Sequence, residues 1–142
     1  MNNNQMLVNL PVKDLQRSKA FFSALGYGFK PEFTDDKAAC MIVSEDHSYV
    51  MLLVEPFFQS FIKTPVADAR SNTEVLIALS RPDRAAVDDT VARALAAGGG
   101  AAGEVADYGF MYQHSFADPD GHLWEVFCMD GMPPASATAT PQ

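Results

Sequence analysis

Asp118-Pro119-Asp120-Gly121-His122-Leu123-Trp124-Glu125-Val126-Phe127 joins a tight turn to an apolar strand that carries one carboxylate. Asp at the first position, Pro at the second and Gly at the fourth match β-turn chemistry, so Asp118 and Asp120 read as turn formers rather than as a catalytic pair. In the strand that follows, Glu125 stands among hydrophobic neighbours. An ionised carboxylate leaves water only with compensation from a metal, a cation or hydrogen bonds, which makes Glu125 the leading candidate for a functional residue. It reads either as an anchor for a cationic or hydrogen-bonding ligand, or general base, or as a relic carboxylate paired with a nearby hydroxyl, Arg or His. His122 has the opposite parity on the strand and reads as a turn or surface residue.

Upstream of this stretch, residues 110–117 and about 101–107 read as strands, and Gly98-Gly99-Gly100 follows a helix that Asp83 opens, with Val87, Val91 and Leu95 one helical turn apart. The glycines end a helix instead of opening one, which argues against a phosphate loop. Thr73 to Ser80 reads as the strand before that helix. The first half repeats the order: a strand at residues 6–12, Asp14 as N-cap, a helix through Leu25 with Leu15, Ser18, Phe22 and Leu25 on one face, then strands near 27–33, 38–44 and 48–54. Leu7, Leu10 and Asp14 recur as Leu76, Leu79 and Asp83, each 69 residues further on. Two equivalent β-α-β-β-β modules are expected, in an α+β fold whose open sheet faces enclose a cavity. A single domain over residues 1–130 is predicted: module one at about 5–55, a connector at 56–72, module two at about 73–129, and a disordered tail at 131–142.

Other side chains are weighed against that frame. His114 is the nearest partner for Glu125 on the adjacent strand, with Tyr112 at the same parity, but a lone strand His is more often structural or exposed. Asn9 and Glu74 share parity with Leu7 and Leu76 and can present polar groups to the cavity. Tyr49, Phe57, Phe58 and Phe61 suit a cavity wall or lid, or plain core and dimer contacts. Cys40 and Cys128 lie in apolar strand contexts without a basic neighbour, so no nucleophile is assigned to them.

The chain has 142 residues, 48% of them hydrophobic, enough for a sizeable core, and a net charge of -8 that argues against nucleic-acid or anionic-membrane partners. Its longest apolar runs are too short for a membrane helix. Residues 1–5 lack the basic and apolar regions of a signal peptide, so a cytoplasmic location is expected.

The segments Leu7 to Gly26 and Asp118 to Phe127, set in a duplicated β-α-β-β-β pattern, resemble the vicinal oxygen chelate superfamily of glyoxalase I, bleomycin- and fosfomycin-resistance proteins and extradiol dioxygenases. The resemblance spans residues 6–128 and looks closest to lactoylglutathione-lyase-like members. It implies a U-shaped mixed sheet around a cavity, and in metal-using members a divalent ion held by His, Gln or Glu. Carried over by position, the ligand sites fall on Leu7, Leu52, Leu76 and Glu125. Three leucines offer no lone pair, so no metal is expected. The expected function is therefore that of a small-molecule-binding protein of the glyoxalase/bleomycin-resistance type. Alternatives are a metal-dependent lyase, isomerase or dioxygenase with a divalent ion, and a structural or regulatory dimer with a filled cavity. A homodimer is expected in each case.

Overall fold

The computed structural model describes residues 4–132. Module one comprises β1 (Met6–Val12), α1 (Leu15–Ala24), β2 (Ala38–Ser44) and β3 (Ser48–Val54), and a short helix α2 (Glu55–Gln59) follows. Module two comprises β4 (Leu76–Ser80), α3 (Arg84–Ala96), the two-residue strands β5 (Gly100–Ala101) and β6 (Ala106–Asp107), β7 (Met111–Ala117) and β8 (Leu123–Met129). The architecture is the mixed α+β, two-module one expected from the sequence. β1 lies parallel to β3, which pairs antiparallel with β2; β4 lies parallel to β8, which pairs antiparallel with β7. The three-stranded and five-stranded sheets share no hydrogen-bonded strand pair.

The 69-residue repeat has a physical counterpart at each position. Asp14 accepts a hydrogen bond from Arg17 N and Asp83 one from Ala86 N, each satisfying an otherwise unpaired donor at a helix start. Leu10 and Leu79 are buried beneath the helices, whereas Leu7 and Leu76 are exposed on the other faces of their strands. Pro11 is tolerated in β1 because β1 is an edge strand, where no ladder partner needs its missing N–H.

The helix-facing sides of the two sheets share one core. Phe22 of α1 lies 5.0 Å from Trp124 of β8, and Phe21 lies 5.8 Å from Phe116 of β7, ring centroid to centroid. Burial of each phenylalanine contributes about 1.5–3 kcal/mol, so this cluster is a principal bond between the modules.

Three local expectations differ. Residues 27–33 form a single bridge, Phe29 to Met41, followed by a 3₁₀ turn at Pro31–Phe33, since Pro31 has no N–H for a ladder but suits the start of a turn. Residues 101–107 break into β5 and β6 around Gly103, whose φ of 128° is open mainly to glycine. The connector at 56–72 carries most of α2, as Pro56 near its start favours a first helical turn. Of the tail expected at 131–142, residues 133–142 lie outside the described residues. Among the described residues no helix is long and apolar enough to cross a membrane.

Candidate functional site

The turn that opens β8 is a hydrogen-bonded hub. Asp118, only 4% exposed, accepts from Asp120 N (2.9 Å) and His122 N (3.0 Å) through Oδ1, and from Trp124 Nε1 (2.9 Å) through Oδ2. Burial pushes the Asp118 carboxyl above its ordinary range, a shift opposed by His122 and by these donors. Asp120 reaches the other module: it accepts from Lys13 N (2.9 Å), Arg17 Nη2 (3.3 Å) and Ser18 Oγ (3.3 Å) around the start of α1, where the helix dipole also favours a negative charge. Both carboxylates are committed to the fold.

Glu125 is different. Its Cα partners are Ser115 on β7 and Ala78 on β4, and it lies on the sheet face turned away from the helices, with Leu123 and Phe127 on either side. It is half-buried, and among the described residues its carboxylate accepts no hydrogen bond and enters no ion pair. Ser115 Oγ, the nearest hydroxyl by register, donates instead to Ala102 O.

His114 and Tyr112 share a face, but it is the helix side. His114 pairs with buried Val126 rather than with Glu125; its Nδ1 lies 3.7 Å from Asp88 Oδ1 on α3 and is without a hydrogen bond. Tyr112 donates its hydroxyl to the same oxygen at 2.7 Å and lies under the Arg84 guanidinium. The bond to Asp88 raises the Tyr112 phenol above its ordinary value. The structure thus sets Tyr112 and His114 across the sheet from Glu125.

Leu52 also needs correction as the ligand-equivalent position of β3. It pairs with Leu10 and is fully buried in the common core, whereas Tyr49, Met51 and Leu53 occupy the alternate face with Leu7, Asn9 and Pro11. A strand whose residues are nearly all apolar gives no alternation from which to read its inward side.

That alternate face of module one bears a hollow of about 460 Å³ lined by Leu7, Asn9, Lys30, Phe33, Cys40 and Met51, among others. Tyr49 closes one side, with Lys30 Nζ 5.4 Å from its ring centroid and 3.5 Å from Glu45 Oε1. Burial raises the Cys40 thiol above its ordinary value, which keeps it protonated and unreactive. Lys30, Phe33 and Met51 were not picked out from the sequence, because a single Lys and a single Phe in a short irregular segment carry no pattern. Glu74 is exposed just before β4, and it shares with Asn9 a second, smaller cavity near the start of β8.

The residues do not fit a chelated ion. Leu7 and Leu76 supply no donor, Met51 and Leu53 occupy the face of β3 where a third ligand would be needed, and Glu125 alone remains. Among the described residues no three His, Cys, Asp or Glu side chains gather in a group that could hold a metal ion.

Residues 5–44 match the family model for a bleomycin resistance protein-like N-terminal region. No curated protein matches the chain. Among solved structures, the chain is similar to a hypothetical protein from S. aureus, with 27% identity and a TM-score of 0.74 over 87% of this chain and 92% of that one. It is similar in fold to a glyoxalase-related enzyme from Fulvimarina pelagi, with 21% identity and a TM-score of 0.73 over 86% of this chain and 85% of that one. A glyoxalase/bleomycin resistance protein/dioxygenase family enzyme from Burkholderia phytofirmans aligns at 17% identity with a TM-score of 0.72, over 89% of this chain and 98% of that one.

Proposed function

We propose that this chain is a member of the vicinal oxygen chelate superfamily, as its fold and the family match over residues 5–44 support, and that it binds a small, partly apolar molecule without a metal centre. The observation that carries the reading is the make-up of the faces turned away from the helices: Leu7, Leu76 and, on β3, Met51 and Leu53 stand where the family places ligands, with one carboxylate, Glu125, that is unpaired among the described residues. An apolar wall with a single polar anchor is the usual composition of a ligand pocket. Glu125 fixes the polar end of the ligand and the hollow of module one receives its apolar part.

The working form is a cytoplasmic homodimer. Leu7 is 47% and Leu76 is 54% exposed, each on an edge strand, while the helix-facing sides are already buried against each other within one chain. A second copy that lays its Glu125 face over the hollow of module one covers these leucines and encloses the ligand.

The experiment is a thermal-shift screen of metabolites and antibiotics, paired with elemental analysis of protein purified without chelator or affinity tag. A ligand whose stabilisation shrinks in Glu125→Gln, in protein free of stoichiometric divalent ions, is the expected result. A stoichiometric ion that is lost in Glu125→Gln overturns the metal-free reading.

A further inference from the structure

A second, partly open cavity of about 190 Å³ lies where the end of β1 meets the start of β8. Leu10 and Pro11 come from β1, Leu123 from β8 and Phe58 from α2, and the connector covers them with Ala67, Ala69 and residues 72–75. Asn9 lines both it and the hollow over Tyr49 and Met51, whereas Glu125, Tyr49 and Met51 do not line it.

We infer that this cavity is a separate ligand site, for a compact aromatic or alicyclic molecule of about benzene to indole size that is neutral or cationic and carries a hydrogen-bond donor. Size sets the first limit. An apolar cavity of about 150 Å³ stays dry and accepts benzene, so 190 Å³ accommodates one ring with a short substituent. Charge sets the second: among the described residues no Lys or Arg lines the cavity and Glu74 is its one carboxylate, while the His122 ring is engaged by Pro11 O, so an anion meets repulsion from Glu74. The third limit comes from the polar groups. His122 Nε2 lies 2.7 Å from Pro11 O, and because a carbonyl oxygen only accepts, Nε2 carries a hydrogen and is spent on that bond. Glu74 only accepts, and the Asn9 side chain, without a partner among the described residues, offers its carbonyl oxygen and its N–H2 group, so a ligand donor has two acceptors to meet.

The cover is held in place by sequence-encoded contacts. Arg70 donates to Pro119 O and packs on Gly121, where a Cβ would lie 2.8 Å from Arg70 Cγ and 3.1 Å from its backbone nitrogen. With φ at 93°, Gly121 is both the conformation and the clearance this approach requires. Connector and turn therefore define the cavity jointly, and the connector does not collapse onto β1.

Benzyl alcohol, benzylamine and benzoate share one ring and differ in charge, and protein-observed NMR on the full chain reads their binding. Benzyl alcohol and benzylamine are expected to shift the amide signals of Thr73, His122 and Leu123, which line this cavity and not the hollow, saturably in the millimolar range, with benzoate weaker by about tenfold or more. Ala69→Leu, which adds volume at the cover, abolishes the shifts while Trp124 fluorescence stays native, and Ala67→Leu does the same from the neighbouring position should the first variant fold poorly. Glu125→Gln leaves the shifts unchanged, which separates this site from the one under Proposed function. Benzoate binding as tightly as the amine, undiminished binding in a folded Leu variant, or no saturable shift with any of the three overturns the inference.

Discussion

Replacing Asp118 by Ala is the sharpest test of how the turn holds the fold. The substitution leaves three donors without their acceptor: Asp120 N, His122 N and Trp124 Nε1. A buried donor left unsatisfied costs about 1–3 kcal/mol. Trp124 is fully buried and takes the upper part of that range, while the Asp120 amide is buried and the His122 amide partly so, with room for water or a local shift of the turn; the expected loss is about 3–5 kcal/mol in all. Asp118→Asn keeps an oxygen for the two amides and turns an amide N–H toward Trp124, so its loss is about 1–3 kcal/mol. Urea unfolding followed by fluorescence measures both, since Trp124 is the sole tryptophan. Burial raises the folded-state carboxyl, so the stability contributed by its protonated form is full below the ordinary Asp range and is lost as pH rises through the folded value. The difference between the native chain and Asp118→Asn should therefore be larger in acid than at neutral pH. A loss in Asp118→Ala below about 1 kcal/mol would refute the hub.

Glu125→Ala, by contrast, removes a carboxylate with no partner among the described residues and should change unfolding free energy by no more than about 0.5 kcal/mol in the same assay. Leu52→Ala opens a cavity in the common core and should cost about 2–5 kcal/mol, while Leu7→Ala on the exposed face costs under about 1 kcal/mol; similar losses at both positions would contradict the assigned strand faces. Light scattering at micromolar concentration should give twice the 15.4 kDa chain mass, and Leu76→Glu should shift the population to monomer with helix content retained.

The fold was legible where local chemistry and global pattern agree. Asp14 and Asp83 cap helices as their sequence contexts predict, and β3 occupies residues 48–54 as read, because apolar β-forming residues are bounded there by turn formers. Residues 27–33 misled because Pro31 and the aromatics score as strand by side chain, while the backbone at a proline cannot extend a ladder. The site was less legible than the fold. Which face His114 occupies depends on the length of the turn between β7 and β8, which sets Ser115, not His114, opposite Glu125. Parity along one strand is written in its sequence, but parity across a turn is a property of the turn's geometry. For the same reason Leu52 could not be told from Met51 or Leu53 in an apolar run.

Asp120 lies 107 residues from Lys13, whose amide donates to it, and Trp124 is nearly as distant from Phe22, on which it packs. During synthesis, module one leaves the ribosome with Phe21 and Phe22 lacking their aromatic partners and the start of α1 lacking its anion. Native packing of the first half must then wait until residues 116–124 have been made. A duplicated architecture suggests halves that mature one after the other; here the turn before β8 completes the first helix, so the nascent chain presents a sticky half-core whose protection falls to the cell's folding machinery.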